Sequence, residues 1–89
     1  MEANLIRRGL EELIKSIDLE LARTEVRLTM IAEKFGLKSW RELEEFFRRG
    51  VDNREIDLAW VEYRYLKDKY ESLLKDGEKV LQLLLNSKS

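Results

Sequence analysis

Residues able to do chemistry are few in this chain, and their spacing does not suit them to it. The adjacent carboxylates Glu11–Glu12 and Glu44–Glu45 are the obvious candidates for acid–base work. A general acid and base must reach one substrate from one side, yet neighbouring residues on a helix point to different faces. They read as solvated helix surface, with Glu11 and Lys15 as an i, i+4 surface pair. No nucleophile stands beside a base, and no glycine-rich phosphate loop is present. Histidine and cysteine are both absent, which removes the usual general base, the commonest nitrogen ligand and every thiolate metal site. A di-iron site of the bundle type, built from Glu and Glu-x-x-His, cannot be assembled within the chain. No catalytic, cofactor-binding or metal-binding residue is therefore assigned, and the chain is expected not to be an enzyme.

Two other groupings invite a functional reading. Lys38, Arg41, Arg48, Arg49 and Arg54 cluster in sequence, and Arg48 with Arg49 could contact phosphate. Glu42, Glu44, Glu45, Asp52 and Glu55 are interleaved with them, so no net positive field remains. A nucleic-acid reader of this size shows a clearer basic face. Trp60, Tyr63, Tyr65 and Tyr70, with Arg64, could form a stacking wall. Aromatics at helical spacing are more often core, with polar tips suited to partly buried positions.

These residues sit on a simple framework. From Asp52 to about Leu85, Ile56, Ala59, Tyr63, Leu66, Tyr70, Leu73, Val80 and Leu84 alternate spacings of three and four. Gly77 holds the one seam position without a side chain. This heptad pattern keeps an apolar seam on one helix face, and Trp60, Leu74, Leu81 and Leu85 widen it. An earlier helix repeats the pattern through Leu10, Ile14, Ile17, Leu21, Thr24, Leu28, Ile31 and Phe35, with Leu13 beside the seam and Ile6 extending it. Thr24 is its polar member; its hydroxyl either bonds its own helix backbone or sets the register as a buried Asn does. Gly9 weakens the first turns by about 1 kcal/mol relative to Ala.

Between the long helices lie two punctuation marks. Gly36 after Phe35 suits a left-handed helix stop, with Leu37 folding back toward Ile31 or Ala32. Ser39 with Glu42 reads as a capping box opening a short helix that carries Trp40, Leu43, Phe46 and Phe47 and stops at Gly50. Asp52 with Glu55 repeats the box. The expectation is one all-α domain with helices over approximately 3–35, 39–49 and 53–85. The two long ones form an antiparallel hairpin with the short one at its bend. A rod of roughly 33 residues is about 50 Å long, whereas a compact chain of this size has a radius of gyration of about 12 Å. Two helices cannot hide wide apolar stripes alone, so a homodimer of the four-helix-bundle type is expected; the heptads suit two or four chains equally.

Seventeen Lys and Arg stand against eighteen Asp and Glu, for a net charge of −1. Such balance favours neither nucleic acid nor an acidic tail. No apolar run is long enough to span a bilayer and no signal segment opens the chain, so a cytoplasmic protein is expected. Abundant Glu, Lys and Arg with few Asn and Gln resemble thermophile composition, although long helices favour the same residues.

Each long helix carries a second apolar cluster away from its seam: Leu19, Val26 and Met30, edged by Ala22, and Leu58, Val61 and Tyr65. Contiguous exposed apolar patches mark interaction sites. Either the short helix covers one cluster while a dimer mate covers the other, or at least one cluster docks a different protein.

The bend also resembles a known family. Lys34-Phe35-Gly36-Leu37, Ser39 with the short helix, Gly50, then Asp57 with Trp60 and Tyr63 are similar to small helical archaeal and bacterial antitoxin-like proteins. Those are the partners of small toxins. The resemblance spans roughly residues 32–66. In that family the first piece usually reads Lys-Tyr-Gly-Met, and an aromatic commonly stands where this chain has Leu43. The long N-terminal helix has no counterpart in the match. The resemblance implies a protein-binding module that sequesters a small toxin-like partner, and it supplies no catalytic residues. The alternatives are a structural or scaffolding homodimer and a nucleic-acid-associated regulator.

Overall fold

A computed structural model describes residues 2–49 and 54–86, with side chains from Asn4 onward. The chain forms α1 (Glu2–Lys34), a 3₁₀ turn (Trp40–Glu42), α2 (Leu43–Arg48) and α3 (Arg54–Asn86). The described residues contain helices and turns and no strand, so the fold is all-α. The helix stop expected at Gly50 and the cap expected at Asp52 lie outside the described residues.

The two long helices pack as an antiparallel pair. Lys34 Nζ meets Glu55 at 2.9 Å, the Tyr70 hydroxyl donates to Glu25 at 2.9 Å, and Lys69 reaches Glu20 at 3.4 Å. From Lys34–Glu55 to Glu25–Tyr70 and on to Ile17 beside Gly77, residue numbers climb along α3 as they fall along α1, which only opposite chain directions produce. The molecule measures 59 × 20 × 17 Å, with a radius of gyration of 17.5 Å. It is the rod that the helix lengths require.

Where α1 ends, the chain makes the stop its residues encode. Gly36 adopts φ 73°. Its amide bonds the Glu33 carbonyl at 3.0 Å, and the Leu37 amide bonds the Ala32 carbonyl at 2.9 Å. These two bonds are the Schellman pair that satisfies the last carbonyls of a helix. The short helix departs from expectation in form. The Ser39 hydroxyl accepts from the Arg41 amide, and the Glu42 amide bonds the Ser39 carbonyl at 3.1 Å. Those i+2 and i+3 closures tighten the opening into a 3₁₀ turn, leaving only six residues in α2. Trp40, at the start of that turn, packs against the buried cluster that contains Leu43.

The core is concentrated at the bend. Leu28, Ile31, Ala32, Leu43, Phe47, Ala59, Tyr63 and Leu66 form one buried cluster, with Phe35, Trp40 and Trp60 packed against it. Thr24 is buried too, and its hydroxyl donates to the Glu20 carbonyl at 2.7 Å. Its polar atom is thus satisfied within its own helix, as the backbone-bonding reading expects.

Candidate protein-interaction surfaces

The functional question turns on which apolar faces this packing covers. Leu43 and Phe47, one helical turn apart, point α2 into the channel between α1 and α3. Phe47 stacks on Trp60 with centroids 5.6 Å apart and meets Phe35 and Tyr63 at 5.8 Å. Trp40 meets Tyr70 edge-on at 5.4 Å. Offset and edge-to-face pairs of this kind add to the burial of large rings. The aromatic residues of α3 are thereby distributed through a core. Tyr63 is buried, Trp60 and Tyr70 are half-buried against α2 and its leading turn, and Tyr65 alone faces solvent. They do not assemble a ligand wall.

Because α2 seals the mouth of the main channel, it covers neither of the second clusters. The expectation that it would shield one of them is corrected on this point. Leu19, Val26, Met30, Leu58, Val61 and Tyr65 are 52–68% exposed. Val26 and Met30 stand two residues either side of buried Leu28, and Val61 and Tyr65 two either side of buried Tyr63. Two residues turn a helix by about 200°, so each cluster looks away from the core. Val26 and Met30 share a shallow groove with Ala22, Thr29 and Glu33. The α3 cluster lies on the other helix. The Lys34–Glu55 and Lys69–Glu20 pairs run along the edge between α1 and α3 on the side away from α2. The six residues are thus two surfaces, not one.

A third apolar surface lies apart from the two clusters that the spacing singles out. Trp60 touches Phe47, and Lys67 donates to Glu44 of α2 at 3.4 Å. One and two heptads further on, Leu74 and Leu81 continue that line, and Leu85 lies one turn beyond. They are 41%, 51% and 60% exposed. On α1, Phe35 and Leu28 line the bend half of the same channel, while Leu21 and Ile14, further along the same heptad positions, are only half-buried. The channel that α2 fills at the bend therefore stays open toward the free end. The signal was present in the stripe that widens the α3 seam, but only the reach of α2 shows where its cover stops.

Charged groups at the bend are spent on one another. Arg48 pairs with Glu44 and Arg49 with Glu45, both at 3.6 Å, and the Arg41 guanidinium lies 4.6 Å over the Trp40 ring. Glu11 pairs with Arg7 at 3.3 Å and Lys15 with Glu12 at 3.5 Å, in place of the expected Glu11–Lys15 pair. On an exposed helix both i, i+3 and i, i+4 partners are within reach and differ little in energy. Hydrogen bonds from Arg23 and Lys69 hold the Glu20 carboxyl below its ordinary value. Burial raises the Tyr63 phenol, and the hydrogen bond to Glu25 raises that of Tyr70. Among the described residues no three acidic side chains converge as metal ligands, and no helix is long and apolar enough to cross a membrane.

Compared with known proteins, the chain matches no family model, no curated protein and no solved structure.

Proposed function

We propose that this chain is a non-enzymatic protein-binding module of antitoxin type, which acts as a homodimer and sequesters a small protein partner. The observation that carries the reading is the pair of outward apolar clusters, Leu19–Val26–Met30 and Leu58–Val61–Tyr65, each residue more than half exposed. Covering one such side chain is worth roughly 1.5–3 kcal/mol, a large return for a domain this small. The antitoxin character rests on the bend residues Lys34 to Leu37, Ser39, Gly50, Asp57, Trp60 and Tyr63 alone.

The test is co-expression of the tagged chain with the small open reading frame beside its gene, followed by sizing with light scattering. A stable heteromeric complex is expected, and the double variant Leu58→Asp, Val61→Asp should weaken it by at least tenfold. A neighbour that elutes separately and is harmless to the host removes the antitoxin reading. Complex formation unaffected by the double variant removes the α3 cluster as its surface.

The second reading is a scaffolding homodimer, favoured by the open channel at the free end. A nucleic-acid regulator draws little support from a bend where Arg48 and Arg49 already face Glu44 and Glu45. It predicts binding that weakens steeply with salt, so no shift of nucleic acid at low salt excludes it.

A further inference from the structure

The two outward clusters differ in the charge that borders them, and that difference describes a partner. We propose that the outward face of α1 docks a cationic amphipathic helix of another protein. Leu19, Ala22, Val26 and Met30 form its apolar floor, and Asp18, Glu25 and Glu33 supply the counter-charges. This rests on the protein-binding reading above and names the chemistry of the partner.

Uncompensated charge sets this face apart. Along the edge shared with α3, most cations are already answered: Arg23 pairs with Glu20 at 3.1 Å, Lys34 with Glu55 at 2.9 Å and Lys69 with Glu20 at 3.4 Å. Asp18 and Glu25, seven residues apart, form the other edge, and Glu33 continues the Leu19–Val26 line toward the bend. None of these three carboxylates pairs with a Lys or Arg among the described residues, and on the basic edge only Arg27 is likewise without an ion pair. Glu25 and Glu33 line the groove that Val26 and Met30 floor. Glu25 is held there by the Tyr70 hydroxyl, which donates to it at 2.9 Å. A carboxylate has about four lone-pair sites, so this bond leaves room for an incoming ammonium or guanidinium. Three open carboxylates against one open arginine make the face net negative beside its apolar floor. The α3 cluster gives no such sign, since Arg54, Asp57, Arg64 and Asp68 alternate around Leu58, Val61 and Tyr65.

The same charges count against a second copy of α1 as the occupant. A two-fold contact sets equivalent residues, or equivalent rows, against each other. Two α1 faces run parallel put Glu33 against Glu33. Run antiparallel, each edge meets its own copy, so the Asp18–Glu25 row faces itself. Like charges placed this way repel. The homodimer proposed above must therefore use another surface. A foreign helix with Lys or Arg beside its apolar stripe meets no such conflict. Its length follows from the face, because Asp18 to Glu33 spans about 23 Å, or about four turns.

Helix-forming peptides of about 18 residues match that length. One carries a leucine stripe flanked by lysines, and its twin has glutamate in place of every lysine. Added to the isotope-labelled chain at physiological ionic strength, the lysine peptide should shift the amide resonances of residues 18–33. The glutamate twin should bind at least tenfold more weakly. Asp18→Lys with Glu33→Lys should weaken the lysine peptide at least tenfold, whereas Leu58→Asp with Val61→Asp should leave it within threefold. Equal binding of the two peptides, no binding of the lysine peptide, or shifts centred on residues 58–65 or 74–85 would overturn the inference. So would a self-dimer that Val26→Asp with Met30→Asp splits, because a second copy would then cover the face. If the charge reversal loses helical circular dichroism, Asp18→Asn with Glu33→Gln replaces it. That pair must weaken binding at least threefold, and unchanged binding overturns the inference. These measurements need only this chain, so a neighbouring gene product that fails to bind removes the antitoxin reading alone. A toxin-like protein that binds without shifting residues 18–33 keeps that reading and overturns this one.

Discussion

Two glycines illustrate how a single atom acts differently in different backbone settings. Gly36 holds φ 73° at the end of α1, where an L side chain would crowd the following carbonyl. Gly36→Ala should destabilise the fold by about 1 kcal/mol. Gly77 lies inside α3 with helical backbone, and a Cβ there would sit 3.6 Å from Ile17 Cγ2, an ordinary contact distance. Gly77→Ala should therefore stabilise by about 0.5–1 kcal/mol, because alanine loses less backbone freedom on folding. Denaturant titration of both variants checks the pair. Equal signs for the two would mean that backbone conformation does not govern these sites.

At the scale of elements, α2 is too short to hold itself together as a helix. Its place depends on Phe47 and Leu43, both almost wholly buried. Phe47 is in ring contact with Phe35, Phe46, Trp60 and Tyr63, so truncation leaves a cavity that the long helices cannot close. Phe47→Ala should cost about 3–5 kcal/mol, and hydrogen exchange should show the loss first at the bend. Substituting Phe46, which is only half-buried, should cost markedly less. The same element decides exposure elsewhere. By seating in the channel mouth it leaves both outward clusters and the free end uncovered.

For the whole molecule, the absence of histidine and cysteine means that no side chain has an ordinary titration between the carboxylates and the tyrosines. Glu20 is held below its ordinary value of 4.5. Its contribution is present above that value and is lost as pH falls through the lower, folded one. Tyr63 and Tyr70 are held above 10.0 and Lys67 above 10.5. The folded state thus binds those protons more tightly than the unfolded chain. Their contribution is complete below about pH 10 and declines as pH rises beyond it. Stability should be nearly flat from about pH 6 to 9 and fall on both sides. Tyr70→Phe should blunt the alkaline fall, which thermal unfolding across pH measures.

Much of this protein was legible in its residues. The two seams, the stop at Gly36 and the backbone-bonded Thr24 follow from spacing and local stereochemistry, because helix periodicity and caps are decided within a few residues along the chain. Leu19, Val26, Met30, Leu58, Val61 and Tyr65 could be picked out as lying off those seams for the same reason. What α2 would cover could not be read this way. Its opening as a 3₁₀ turn and its seating against Phe35 and Trp60 depend on groups distant in sequence meeting in one channel. Only that meeting separates the outward clusters from the open half of the channel at Leu74, Leu81 and Leu85. Periodicity names the apolar positions, but exposure depends on where a neighbouring element ends, and that is a property of the packed molecule.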